Sequence, residues 1–154
     1  MIKIISFWKE RREQKARKQA IAEHRKMWNW IADETERTGR GVAKHDYLAQ
    51  QGLNTYLPHD CFLCAYSEKQ AREYSGTTIS KCAFCPLDWS NTSDCPCVYQ
   101  YSLVQGRDGL YSQWERTRDI PLRVELARRI AELPERDIYN GNKGGTPPAK
   151  SPQG

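Results

Sequence analysis

Cys61-Phe62-Leu63-Cys64 and, after an interval of seventeen residues, Cys82-Ala83-Phe84-Cys85 are the stretch on which the fold turns. Each half is Cys-x2-Cys, the spacing that lets two thiolates on one tight turn take one edge of a tetrahedral metal ion. Two such turns complete a four-cysteine structural zinc site. Cys61, Cys64, Cys82 and Cys85 are therefore the expected ligands and zinc the expected cofactor. A site closed by four thiolates has no open position for a catalytic water, so it organises a fold and leaves chemistry to other residues.

Working outward, Cys95-Pro96-Cys97 ends the cysteine-rich region. Cys-x-Cys is too tight for the usual zinc turn, and three roles stay open for this pair. Either cysteine can replace one of the four ligands. Both can join His59 or Asp60 as an additional metal site. Both can be ordinary thiols packed near the metal. The spacing lacks the dense ferredoxin run that would favour iron–sulfur, and no βαβ pattern surrounds either pair, as a thioredoxin-like redox motif requires. With no signal-peptide pattern at the amino terminus, reduced thiolates on metal are a better reading than disulfides, and a cytoplasmic location is expected. No apolar run approaches the ~18 residues of a membrane span.

The chain has 154 residues, 38% of them hydrophobic and 28% charged, which suits one domain with a modest core. In such a protein bound metal supplies folding free energy that packing does not. Five Trp and eight Tyr argue against a wholly disordered chain. The net charge of +5 is uneven. Residues 1–40 hold eleven Lys/Arg against six Asp/Glu, and residues 41–100 hold four against six. The cysteine module is thus acidic and the amino-terminal segment basic, so a nucleic-acid contact would fall on that segment.

Residues 6–37 contain neither Gly nor Pro and read as one long helix. Ala16, Ala20, His24, Met27 and Ile31 share one side, with Trp28 close by. Arg11, Lys15, Lys18 and Arg25 fall roughly opposite and are the candidate phosphate contacts. The competing reading is a solvated face in which interspersed Glu residues pair at i,i+4. An anionic membrane surface is a third option, since Phe7 and Trp8 precede the charges, but the apolar side is narrow and alanine-rich. Trp28 and Trp30 lie two apart and must point differently. With Trp89 they are the candidate partner-binding aromatics, unless all are core.

Short helices are expected over about 42–51, 65–74 and 120–133. Asp119 and Pro121 mark the start of the last, and Leu122, Leu126, Ile130 and Leu133 form its stripe. Residues 77–80 and 98–104 read as weakly extended. The Gly/Pro-rich segment 140–154 cannot build a core and reads as a disordered tail. The expected organisation is a basic helix over 1–40, a zinc-stabilised helical domain over 41–139 and the tail. The fold class is mainly α: a long amino-terminal helix, a central four-cysteine zinc module and a carboxy-terminal helix. Catalytic patterns are absent. His24, His45 and His59 stand in no metalloprotease or deaminase arrangement, and no phosphate-binding loop is found, so an enzyme is not expected.

Met27-Trp28-Asn29-Trp30-Ile31-Ala32-Asp33-Glu34-Thr35, Cys61-x2-Cys64-Ala65-Tyr66, Cys82-x2-Cys85-Pro86-Leu87-Asp88-Trp89 and Ala131-Glu132-Leu133-Pro134 occur in this order. That combination resembles small uncharacterised proteins of tailed bacteriophages and prophages of Gram-positive bacteria. The resemblance implies a protein made in the host cytoplasm during infection. It implies an accessory role, such as binding a host protein, a defence-system protein or nucleic acid.

Overall fold

The computed structural model describes residues 2–53, 57, 60–74, 84–89 and 109–137. Cys82, Cys95, Cys97, His59, the two weakly extended stretches and the 140–154 tail lie outside them. Five helices are present among the described residues: α1 (Ile2–Thr38), α2 (Lys44–Gln50), α3 (Phe62–Tyr74), α4 (Leu110–Arg116) and α5 (Ile120–Ala131). The same residues contain no strand, only an isolated antiparallel bridge between Leu87 and Glu135. The fold is mainly α.

The spine is α1. Its 37 residues make a rod of about 55 Å at 1.5 Å per residue. Ala20, Ile21, His24, Met27, Trp28, Ile31, Ala32 and Thr35 recur at helical spacing and are buried. Against this stripe α5 runs antiparallel, placing Leu126, Ala127, Ile130 and Ala131 in the same core. The direction follows from the cross-links. Arg128 meets Asp33 at 2.8 Å and Glu36 at 3.4 Å, while Arg25 donates to the Leu133 carbonyl at 3.4 Å and Arg17 reaches Glu135. Fully burying each large apolar side chain in this seam contributes about 1.5–3 kcal/mol.

Local chemistry sets the ends. Asp119 caps α5 by accepting from the Leu122 amide at 2.8 Å, as its sequence context predicts. At the end of α2 the amides of Gly52 and Leu53 turn back to the Ala49 and Leu48 carbonyls, with Gly52 at φ +66°. That left-handed position suits a residue without Cβ. Helix α4 has no counterpart among the helices expected from the sequence. Its buried face consists of Leu110 and Trp114, one turn apart. Trp114 stacks edge-on against Trp28 with centroids 4.7 Å apart, and the Arg123 guanidinium lies 4.3 Å from the centre of its ring. Arg123 also donates to the Trp114 and Thr117 carbonyls, closing the end of α4.

Candidate metal centre

Three described cysteines are free thiols: Cys61 immediately before α3, Cys64 in its first turn, and Cys85 in the turn that precedes Leu87. Cys64 and Cys85 are buried and Cys61 is half-buried. The Cys85 turn is fastened from two sides. Asp88 N donates to Pro134 O and Arg136 N to Pro86 O, each at 2.8 Å, stitching it to the segment that leaves α5. From α1, Arg17 donates to Pro86 O at 3.3 Å and to Arg136 O.

The electrostatics join these thiols to one another and to α1. A hydrogen bond with Cys64 is the main influence holding the Cys61 thiol well below the ordinary thiol range. The His24 ring, through proximity and charge, and the charge of Lys44 act the same way, while burial opposes them. Burial pushes the Cys85 thiol up. The backbone N–H of Leu87 and the neighbouring Trp89 indole partly offset this, and the charge of Cys61 adds to the rise. Tyr111 is pushed well above the usual phenol range, mainly by burial and further by Glu115, Cys61, Asp60 and Cys64, so its ring belongs to the same neighbourhood.

The sequence places His24 on an apolar stripe, and the structure buries it there at 1% exposure. Its ring packs on Trp28 and Trp89, with centroids 6.1 and 6.5 Å away, and its Nε2 lies 3.3 Å from the Ile130 carbonyl oxygen. Its Nδ1 completes no hydrogen bond of ordinary length and angle. Only the fold shows this placement beside the thiols, because His24 and Cys61 are far apart in sequence. Among the described residues no three His, Cys, Asp or Glu side chains are grouped so that they could hold a metal ion. Cys82, Cys95, Cys97 and His59 fall outside those residues.

The other candidate residues separate clearly. Arg11, Lys15 and Lys18 are exposed along one face of α1. Arg25 is committed to the fold through Glu135 at 3.7 Å and the Leu133 carbonyl, so it does not join them as a free phosphate contact. Trp28 and Trp89 are 2% and 5% exposed and are core residues unable to reach a partner. Trp30 is half-buried against Tyr47, with ring centroids 5.5 Å apart. The exposed tryptophan is Trp8, at 56%, beside Phe7 at 51%. Their rings meet edge-on at 5.9 Å, and the Arg11 guanidinium sits 5.3 Å over Phe7. From the sequence these two aromatics suggest no more than a membrane-surface contact. No helix among the described residues is long and apolar enough to cross a membrane. His45 and Asp46 form an exposed surface pair at 3.3 Å.

No protein-family model, curated protein or solved structure matches this chain.

Proposed function

We propose that this protein is a non-catalytic binding protein. Its cysteine centre holds a structural zinc, and the exposed start of α1 contacts the partner. One observation carries the contact surface. Phe7 and Trp8 are both more than half exposed on a helix whose later turns are packed. Aromatic side chains offer large contact area at low entropic cost, and Trp with Arg is the composition of binding hot spots. Arg11 and Arg12 lie in the next turn. The motif resemblance supplies the setting: an accessory protein of a tailed phage or prophage that engages a host or defence-system protein in the host cytoplasm. For the zinc, the support is the pair of Cys-x2-Cys spacings, together with the interaction of Cys61 with Cys64.

Nucleic acid is the second reading, favoured by Arg11, Lys15 and Lys18 sharing the exposed face with Phe7. Cations that track phosphates beside a ring that stacks on bases are the elements of single-strand recognition.

One experiment separates the two. The full chain is used to capture partners from lysate of the Gram-positive host, with and without nuclease. A protein contact should survive nuclease and change little with salt. It should weaken by ~2 kcal/mol or more in Phe7→Ala/Trp8→Ala, with zinc content and thermal stability unchanged. A nucleic-acid contact should fall steeply with salt. Arg11→Gln, Lys15→Gln and Lys18→Gln should then flatten that slope by roughly 0.9 for each duplex phosphate they leave without its cation. Binding that ignores all five substitutions would remove α1 as the contact surface.

A further inference from the structure

We propose that the furrow between α1 and α3 is a docking groove for an amphipathic helix of the partner protein, one with acidic flanks. The inference rests on the reading of this chain as a binding protein whose α1 contacts a protein, and it names that partner's chemistry.

Two antiparallel helices build the furrow. Its inner part, a hollow of about 590 Å³, is lined by Ala16 and Ala20 of α1 and by Phe62, Ala65 and Tyr66 of α3, with Leu53 beside them. Its outer part, about 360 Å³, continues between Lys9 and Arg12 on one helix and Gln70 and Glu73 on the other. Ala16 and Lys69 belong to both hollows, so the two form one channel. Leu53 is 38% exposed, and Ala16, Phe62, Ala65 and Tyr66 are half-buried, so apolar surface lies open along it. From Lys26 to Lys9 the α1 wall runs about 26 Å at 1.5 Å per residue. That length suits a helix of about seventeen residues and exceeds the reach of a compact small molecule.

Three alanines shape the occupant. Ala16, Ala20 and Ala65 leave a trough without large side chains, where a third helix can pack at the short end of the ~8–10 Å interaxial range. Its anchors then stand at i, i+3, i+4 and i+7, the helix-in-groove mode. Alanines offer nothing to a phosphate, so the floor favours a helix over a nucleic-acid strand.

Charge sets the flanks. At about 100° per residue, Trp8, Arg12, Lys15, Gln19 and Lys26 fall within about 60° of one another on α1. All five are exposed. Arg12, Gln19 and Lys26 line the furrow, so this row is its outer edge. It carries three cations and no carboxylate, with Trp8 at its open end. Across the furrow Lys69 is exposed, and Arg72 pairs with Glu68 at 2.6 Å. Of the carboxylates that line the furrow, Glu13 pairs with Lys9 at 3.9 Å, and Glu23 and Glu73 are outnumbered by Arg12, Lys15, Lys26 and Lys69. The complement is an apolar stripe with Asp or Glu on either side.

The test uses the full-length chain and two synthetic peptides of about seventeen residues. Both carry the same leucine stripe at i, i+3, i+4 and i+7; one has Glu on its flanks and the other Lys. By fluorescence anisotropy the Glu peptide should bind at least ~10-fold more tightly and lose affinity as salt rises. It should shift the backbone amide signals of Ala16, Ala20, Phe62 and Ala65. Arg12→Glu/Lys15→Glu/Lys26→Glu should invert the preference between the peptides, which loss of fold cannot do. Ala16→Gln keeps a good helix former but fills the trough, and should weaken the Glu peptide ~10-fold. A Glu peptide that does not bind, or that shifts amides elsewhere, would overturn the proposal. So would a single-stranded oligonucleotide that shifts the furrow amides when neither peptide does. If capture of a partner from host lysate depends on Phe7 and Trp8 but ignores Ala16→Gln, the furrow is not the docking site and the exposed start of α1 stands. Indifference to all of these substitutions would remove both.

Discussion

The two halves of α1 are one continuous helix put to two uses. From Ala20 to Thr35 its inward stripe is buried and each turn meets another element. Residues 6–12 are all exposed. The difference lies in what is available to cover the helix. At 12 residues, α5 spans only about 18 Å against the roughly 55 Å of α1. Antiparallel to α1, it runs from Glu36 back to His24, and the 133–137 segment carries the packing on to Arg17. Helix α3 flanks α1 a little further, where Lys69, Gln70 and Glu73 line a cleft with Lys9, Arg12, Glu13 and Ala16. Phe7 and Trp8 extend past both. A helix face is buried only where a second element reaches it, so aromatic content alone does not say which end is core.

The largest test of this division is metal removal. Chelating a structural zinc should forfeit roughly 10 kcal/mol or more of folding free energy. Cys61 neighbours the α1 His24, and Cys85 neighbours the core Trp89, so the loss should spread from the cysteines into the packed half of α1. The near-UV signal of Trp28, Trp89 and Trp114 should collapse, while the exposed Trp8 contributes little before or after. An aromatic signal unchanged after complete metal removal would mean that the core half stands without the centre.

A second test sets one tryptophan of α1 against another. Trp28→Ala removes a side chain that is 2% exposed and packed on Trp114, Tyr111 and His24. It should cost about 3–5 kcal/mol, the usual range for a large aromatic cut from a core. Trp8→Ala should change stability by less than ~0.5 kcal/mol. Urea denaturation of the two variants with zinc in excess measures both. Equal effects would erase the distinction between the halves.

Much of this architecture is legible in the chain, for identifiable reasons. α1 and α5 carry long apolar stripes at 3.6 spacing, and the Asp119 cap with Pro121 marks where α5 begins. Helix α4 is not legible, because seven residues with two buried side chains, Leu110 and Trp114, leave too short a period to recognise. In the candidate centre, the Cys-x2-Cys turns stand out because their signal is local. His24 has no local signal. A histidine on an apolar stripe reads as a core residue, and its relation to Cys61 arises only when α3 folds back on α1. The exposure of Trp8 is hidden for a related reason, since it depends on the length of elements far along the chain. Arg25 has the pattern of a solvated cation, and only the fold brings Glu135 to meet it.

The smallest of the three expected effects lies at the boundary between the halves. Arg17 is where the segment leaving α5 first meets α1. Its guanidinium pairs with Glu135 at 3.4 Å and donates to the Pro86 and Arg136 carbonyls, with the side chain 13% exposed. One side chain thus ties the spine, the Cys85 turn and the exit from α5. Hydrogen bonds from a charged donor contribute about 1.5–3 kcal/mol when partly buried, and removing the donor takes a charged partner from the Pro86 and Arg136 carbonyls. Against that stands the cost of holding the long side chain in one geometry, so Arg17→Ala should destabilise the protein by roughly 1–3 kcal/mol. Arg11→Ala, less than two turns earlier on the exposed face, should stay within ~0.5 kcal/mol. Arg17→Lys should recover only part of the loss, because an ammonium cannot reproduce the fork that serves separate acceptors. Thermal melts of the three variants at matched zinc give the comparison. If Arg17→Ala and Arg11→Ala melted alike, the Cys85 turn would be held by its backbone bonds to Pro134 and Arg136 alone, and the packed half of α1 would begin nearer Ala20.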